Sequence, residues 1–310
     1  MTGAAYGMLC VIWGSTWLAI RIGLTGAPVF LAAALRFALA AGVLLALAAV
    51  FRSSMPRTHV EWALVGFVGV VLFTLDYGLI YWGENAGVES GLSAILFATF
   101  PFQTALFAHA LLPEERLTVQ KLAGGALGFL GVVLIFRGQI AGAGLGKFFP
   151  MVAIVLSATC ASVSSVAVKR WGHDADPVSF TGLAMTVGAA GLFGTSLVAG
   201  EALFVPTWPA GVGAIVYLAL AGSVVTFVTY WWLLKRIEAT SMSYIAFVTP
   251  IVAVFLGATL AAEVLDPLAV VGAAVTLAGI YLSTSKRLIE RIRTPAPVGV
   301  IGDGGAGPKR

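Results

Sequence analysis

Two charged residues, Arg36 and Asp76, lie well inside apolar stretches of this sequence. If those stretches are membrane helices, each charge costs about 2.5 to 3.5 kcal/mol on insertion scales. At 1.5 Å per residue from the predicted outer helix ends, Arg36 lies roughly 12 Å deep and Asp76 roughly 9 Å deep. Two interpretations stay open. The residues form a structural ion pair, or they lie on a water-filled cavity where Arg36 holds a substrate carboxylate and Asp76 binds an amine or exchanges a proton.

Aromatic and hydroxyl side chains recur at helical spacing around these charges. Trp13 and Trp17 are four residues apart, as are Tyr77 and Tyr81, so each pair shares one helix face. Such residues line a cavity or pack between helices, and both readings remain open. Trp82 and Trp231, by contrast, are predicted to be interfacial anchors. The complete set of candidate substrate-contacting residues is Trp13, Trp17, Arg36, Asp76, Tyr77, Tyr81, Ser162, Thr226, Tyr230 and Ser243.

Two prolines, Pro101 and Pro250, fall near the middle of predicted helices. Each removes a backbone donor and leaves the carbonyl of Phe97 or Ala246 without its usual partner, so both helices should kink. Paired interruptions of this kind often mark the substrate level in transporters and supply a bend for gating. A static kink used only for packing is the alternative.

Motifs typical of enzymes are absent from the sequence: it has no HExxH, no paired aspartates for a prenyl diphosphate, no GxSxG and no P-loop. Three histidines lie scattered near predicted helix ends. We therefore expect no enzymatic activity, catalytic residue, metal site or cofactor. The net charge of +4 comes mostly from basic residues that flank helices, so no nucleic-acid partner is indicated.

Composition identifies the elements that must position these residues. Hydrophobic residues make up 59% of the chain and charged residues 10%, against roughly 25% charged in soluble domains. The apolar runs have the length of membrane-crossing helices. We predict an all-α integral membrane protein with ten spans, at residues 3–24, 28–51, 60–82, 86–111, 118–137, 148–170, 178–199, 210–234, 240–262 and 267–285.

The chain also contains an internal repeat. A shift of 149 residues places Tyr81 on Tyr230, Trp82 on Trp231, Glu89 on Glu238 and Pro101 on Pro250. A shift of 148 places Glu115, Gly124 and Gly131 on Glu263, Gly272 and Gly279. The sequence thus predicts a first five-helix repeat at 1–137, a linker at 138–147, a second repeat at 148–285 and a basic, disordered cytoplasmic tail at 286–310.

Charge distribution indicates how the two repeats are oriented. Five is an odd number, so a tandem copy inserts upside down relative to the first. With both termini cytoplasmic, the predicted outer side holds only Arg21, Arg137 and Lys147, and the other basic residues, except intramembrane Arg36, are inside. This bias fits the positive-inside rule. Gly124 and Gly128 also form a GxxxG motif, which predicts close helix packing within one chain or between two subunits.

These motifs resemble the EamA-like family of the drug/metabolite transporter superfamily. The resemblance is carried by the opening Ile12 to Trp17, by Ala34 to Phe37, and by the run from Pro101 through Glu115 to Thr118, Gly124 and Gly131 with its echo in the second half. It implies a central cavity enclosed by helices one to four and six to nine of two inverted repeats. Helices five and ten would be peripheral.

The resemblance also implies a function. Members of the family are secondary transporters of small metabolites, which predicts alternating access in the bacterial inner membrane. Arg36 is the only basic residue available to the cavity, which argues against phosphorylated cargo. An amino acid is our first choice, and sugars, drugs or a channel-like facilitator are the alternatives. The expected partners are a small-molecule substrate, the lipid bilayer and, as an open question, protons, for a monomer or a homodimer.

Overall fold

The computed structural model describes residues 2–24, 27–135, 137, 145–204, 207–260 and 267–293. Within these ranges only the backbone is described for residues 90–91, 145, 253–260 and 285–293. Glu263, most of the predicted linker at 138–147 and the end of the predicted tail, residues 294–310, therefore fall outside it. All regular structure in the described part is helical, and no strand occurs there.

The helices are numbered in chain order. They are α1 (Thr2–Leu24), α2 (Val29–Val50), α3 (His59–Asn85), α4 (Ser90–Phe97), α5 (Phe100–Leu111), α6 (Val119–Ile135), α7 (Phe148–Trp171), α8 (Pro177–Val198), α9 (Pro209–Leu234), α10 (Ala239–Ser243), α11 (Ile245–Leu260) and α12 (Pro267–Arg293). Among the described residues, eight helical segments are long and apolar enough to cross a membrane. Two further apolar helical segments are shorter, Val119–Ile135 and Ala239–Val252.

Several helix starts follow directly from the local sequence. The Thr58 hydroxyl accepts a hydrogen bond from the Glu61 backbone N–H, and the Glu61 carboxylate accepts one from the Thr58 backbone N–H, which forms a capping box at the start of α3. The Asp176 side chain caps α8 by accepting from the backbone N–H groups of Val178 and Ser179, and a proline holds the first helical position of α8, α9 and α12. At the other end of the chain, α12 continues past residue 285 to Arg293, into the predicted tail.

Interruptions occur within four of the predicted spans. The predicted fourth span is divided between α4 and α5, and Pro101 is the second residue of α5 rather than a residue in mid-helix. The predicted ninth span is divided at Tyr244, and Pro250 lies inside α11. The third and eighth spans instead contain π-helical turns, at Gly69–Asp76 in α3 and Leu220–Val225 in α9. Turns of this type widen a helix locally and are frequent at functional sites.

The π-helical turns show the same local bonding in the two halves. Thr74 Oγ1 donates to the carbonyl of Gly69 at 3.0 Å, and Ser223 Oγ donates to the carbonyl of Leu218 at 2.8 Å. Each bond spans five residues, and the two hydroxyls are 149 residues apart, as are the two carbonyls. The repeat shift read from the sequence thus relates these local features of the structure as well.

Glycines bring α6 and α12 into close contact. A Cβ atom built on Gly124 would lie 2.6 Å from the Gly279 carbonyl oxygen, and one built on Gly272 would lie 2.7 Å from the Gly131 carbonyl oxygen. Only residues without a side chain permit this approach. The GxxxG motif is therefore used within one chain. Elsewhere α2 packs along α8, and α1 packs against α9 and α11.

Candidate functional site

A cavity of about 90 Å³ lies between the two halves of the chain. It is lined by residues of α1, α3, α4, α5, α7, α9 and α11, and its volume is enough for several water molecules. The lining residues are Trp13, Thr16, Trp17, Ile20, Leu72, Asp76, Tyr77, Ile80, Phe97, Phe100, Ala161, Ser165, Phe227, Tyr230, Trp231, Ile245, Ala246 and Thr249.

Aromatic rings form most of the cavity wall and fix one another. The Trp13 ring lies 5.3 Å from the ring of Tyr230, measured between centroids, and 5.5 Å from that of Phe227. Across the cavity, Trp17 packs edge-on against Phe97 at 5.9 Å. Such offset and edge-to-face contacts are favourable beyond the area they bury. The wall is thus rigid and apolar, which suits a ligand with an apolar body.

Three polar atoms in this wall are buried and have no hydrogen-bond partner within the protein. They are Oδ1 of Asp76 and the indole Nε1 atoms of Trp13 and Trp231. A buried polar atom without a partner costs about 1 to 3 kcal/mol, and native structures hold few of them. The residues that line the cavity therefore carry one unpartnered acceptor and two unpartnered donors, a set that complements a ligand carrying an ammonium group and a carboxylate or carbonyl oxygen.

Arg36 lies behind the cavity wall and is not among the lining residues. It is 1% exposed, and its guanidinium donates to Ser223 Oγ at 3.0 Å, to the Gly222 carbonyl at 3.1 Å and to Tyr81 Oη at 3.4 Å. Its Cζ atom also stands 4.8 Å from the centre of the Tyr77 ring. No ion pair within 4.0 Å joins it to Asp76 among the described contacts. Arg36 thus supports the wall and positions Tyr77.

The predicted site residues divide into two groups. Trp13, Trp17, Asp76, Tyr77 and Tyr230 line the cavity, whereas Arg36, Tyr81, Ser162, Thr226 and Ser243 do not.

The hydroxyls away from the cavity are mostly engaged elsewhere. Ser162 donates to the Phe100 carbonyl at 3.2 Å and accepts from Thr104, and Ser243 donates to the Thr240 carbonyl at 2.7 Å. The hydroxyl of Thr226 is buried without a partner.

Trp231 is a cavity residue that the sequence reading assigned elsewhere. It was expected at the membrane interface with Trp82, but it is 1% exposed and lines the cavity, so that expectation was wrong. Trp82 is 40% exposed, near the end of α3. The available signal was the four-residue spacing of Phe227 and Trp231, the rule that paired Trp13 with Trp17.

Ser165 also lines the cavity although the sequence analysis did not single it out, and its hydroxyl lies 2.8 Å from that of Tyr230. Ser165 follows the lining residue Ala161 by four positions and so lies on the same face of α7.

Comparison with known proteins places this architecture in a family. The model of the EamA-like transporter family matches residues 1–137 and 148–285. The chain is 30% identical over 293 residues to the uncharacterized inner membrane transporter YedA of Escherichia coli (strain K12), which covers 94% of this chain and 93% of that protein. It is 27% identical over 298 residues to the probable terminal-alkyne amino-acid exporter of Streptantibioticus cattleyicolor, covering 93% and 94%.

A solved crystal structure has the same fold, with a TM-score of 0.76 at 18% identity, covering 92% of this chain and 98% of the other. The resemblance read from the sequence motifs is confirmed by the family match, and the names of the relatives indicate transporters rather than enzymes. Because the family model covers both halves and a relative at 30% identity spans nearly the whole length, this chain belongs to the EamA-like transporter family.

Proposed function

We propose that this protein is a secondary transporter that moves small zwitterionic metabolites, amino acids first among them, across the bacterial inner membrane. The observation that carries the proposal is the set of unpartnered polar atoms around the cavity, Asp76 Oδ1 and the indole nitrogens of Trp13 and Trp231. The carboxylate would receive an ammonium group, and the indole N–H groups would donate to a cargo carboxylate.

The position of Arg36 changes which residue receives the cargo carboxylate. The guanidinium of Arg36 already donates hydrogen bonds to Ser223, Gly222 and Tyr81. Without an available basic residue, the cavity suits a cargo with no net negative charge. The name of the Streptantibioticus relative, a probable terminal-alkyne amino-acid exporter, favours an amino acid over sugars or drugs.

The proposed architecture is ten membrane helices in two inverted five-helix repeats, with both termini cytoplasmic and transport by alternating access. It is supported by the matched π-helical turns at Thr74 and Ser223 and by the positive-inside charge bias. Protons are a further proposed partner, because a carboxylate that faces a membrane cavity can exchange one. A monomer and a homodimer are both compatible with this scheme.

Transport by purified protein in liposomes tests the cargo. Radiolabelled amino acids and sugars are screened with and without a pH gradient, for the wild type, for Asp76→Asn and for the matched control Glu114→Gln, an exposed carboxylate. We expect saturable amino-acid counterflow that Asp76→Asn reduces at least tenfold and that Glu114→Gln leaves unchanged. Counterflow separates a carrier from a channel-like facilitator. Wild-type transport and pH dependence in Asp76→Asn would remove Asp76 from the mechanism.

Cysteine labelling tests the inverted topology. In a background with Cys10 and Cys160 replaced by alanine, single cysteines are placed at Asn85 and at Arg236, both exposed. A membrane-impermeant maleimide added to intact cells should label Asn85→Cys, and Arg236→Cys should react only after the membrane is opened. Labelling of both positions from the same side would contradict the inverted arrangement.

A further inference from the structure

A second cavity, of about 240 Å³, lies at the C-terminal end of α3. It is lined by Arg21 and Leu24 of α1, by Glu84 and Asn85 at the end of α3, and by Gly87, Val88 and Glu89 after that helix. Arg21, Asn85 and Glu89 are exposed, so this cavity opens at the protein surface. We call it the Glu84 pocket.

Both carboxylate oxygens of Glu84 are buried and have no hydrogen-bond partner. The hydroxyl of Ser93 is buried near the carboxylate, but the two groups are not in hydrogen-bonding geometry. Three polar atoms at this position therefore lack hydrogen-bond partners. Each would cost free energy if it stayed unsatisfied, so the arrangement favours a bound group that can donate to all of them.

The position of Glu84 in its helix adds to the need for positive charge. It is the next-to-last residue of α3, where the helix carries partial negative charge on its terminal carbonyl groups. A carboxylate there is repelled by the helix end, while a cation is attracted by both. An ammonium group has three N–H donors and one positive charge, which fits two carboxylate oxygens and a hydroxyl.

The Glu84 pocket lies one helical turn from the central cavity along two helices. On α1, Trp17 lines the central cavity and Arg21 lines the Glu84 pocket. On α3, Ile80 lines the central cavity and Glu84 lines the Glu84 pocket. Four residues correspond to about 6 Å along a helix axis, which is the size of a small amino acid. A cargo leaving the central cavity along α1 and α3 would reach the Glu84 pocket next.

We propose that the Glu84 pocket is a second binding station, which holds the ammonium group of the cargo between the central cavity and the membrane face at the α3 C-terminus. This inference rests on the proposed transport of zwitterionic metabolites. At this station the cargo ammonium group binds Glu84, as it binds Asp76 in the central cavity. Arg21 lines the same pocket and interacts electrostatically with Glu84, so its guanidinium places positive charge near the site of the cargo carboxylate.

Binding of methylammonium tests the station without knowledge of the cargo. Thermal unfolding of purified Asp76→Asn protein, in which a neutral amide replaces the central carboxylate, is measured in methylammonium chloride and in sodium chloride at equal ionic strength. We expect methylammonium to raise the unfolding temperature by roughly 2–4 °C, because a ligand that binds only the folded state stabilises it. The double variant Asp76→Asn, Glu84→Gln should show no such rise.

Flux measurements test the same station during transport. With the amino acid that gives wild-type counterflow, Glu84→Gln should raise KM about tenfold at the face near the α3 C-terminus and change it less than twofold at the other face. Glu114→Gln is the control. Glu84→Gln should also unfold at the wild-type temperature or above it, since the change removes a buried charge that has no hydrogen-bond partner.

The two proposals fail in different ways. Absence of amino-acid counterflow in the wild-type protein would overturn the proposed function. Wild-type counterflow combined with an unchanged KM at both faces in Glu84→Gln would overturn the station alone. An equal response to methylammonium in the single and double variants would also overturn it.

Discussion

Arg36 in α2 donates from Nε to Ser223 Oγ in α9, and this 3.0 Å bond joins the two halves of the chain across 187 residues. The Ser223 hydroxyl in turn donates a hydrogen bond to the carbonyl of Leu218, just before the π-helical turn. The Gly222 carbonyl of the same turn accepts from Nη2 of Arg36. The widened turn therefore presents two acceptors to one guanidinium, and the buried charge is hydrogen-bonded to dipoles without a direct ion pair to Asp76 among the described contacts.

Arg36→Lys should destabilise the protein although it keeps the charge. A lysine ammonium lacks the planar fork, so it cannot reach Ser223, Gly222 and Tyr81 together, and at least one acceptor stays buried without a partner. We expect a loss of about 2 to 4 kcal/mol in the free energy of unfolding, measured by denaturant titration in detergent. Arg57→Lys, at an exposed position, is the control and should change stability by less than about 0.5 kcal/mol. Equal stability of the two variants would show that the fork is not required.

The burial of Arg36 and Asp76 could be predicted from the sequence, because helix length and the cost of a buried charge are properties of local stretches. The sequence could not predict that Arg36 and Asp76 have different neighbours and form no direct ion pair among the described contacts. The partner of Arg36 is Ser223, and nothing in the local spacing specifies the rotation of α9 that turns Ser223 toward α2. Trp231 was misplaced for the same reason, since the repeat relates it to Trp82 while the packing buries only one of the two.

Trp13→Phe and Trp231→Phe should each weaken cargo binding while the fold is kept. Phenylalanine preserves the aromatic body of the wall and removes the indole N–H, which has no partner within the protein. We expect a five- to tenfold weaker affinity for an amino acid, about 1 to 1.4 kcal/mol, from equilibrium binding to purified protein.

Two comparisons check this assignment of the indoles. Trp62→Phe alters a half-exposed residue at the start of α3 and should leave affinity unchanged. An amine that corresponds to the amino acid without its carboxylate should bind the wild type, Trp13→Phe and Trp231→Phe with equal affinity. A similar loss for that amine would mean that the indoles act through packing rather than through their N–H groups.

Glu115 and Glu114 are adjacent glutamates with opposite surroundings. Glu115 is 4% exposed and accepts from the backbone N–H groups of Ala239 and Thr240, at 2.7 and 3.2 Å, and from the Thr240 hydroxyl. It thus attaches the segment after α5 to the start of α10. Glu115→Ala should lower the free energy of unfolding by about 2 to 4 kcal/mol, because three buried donors lose their acceptor. Thermal unfolding in detergent measures this loss.

The neighbouring residue supplies the matched control for this cap. Glu114→Ala removes an exposed carboxylate and should change stability by less than about 0.5 kcal/mol. Glu115→Gln should fall between the two alanine variants, since the amide keeps one acceptor oxygen but loses the charge. If Glu115→Ala were as stable as Glu114→Ala, the start of α10 would not depend on this cap.

Gly124→Ala should destabilise the contact between α6 and α12. The added methyl group would lie 2.6 Å from the Gly279 carbonyl oxygen and 2.7 Å from Cβ of Ser283, and backbone atoms cannot move aside without separating the helices. We expect a loss of about 1 to 3 kcal/mol in the free energy of unfolding. Gly42→Ala in α2 is the control, because a Cβ there meets no atom within 4 Å. At that open helical position alanine should raise stability by up to about 1 kcal/mol. Two variants of equal stability would mean that the close approach of α6 and α12 is not required by the fold.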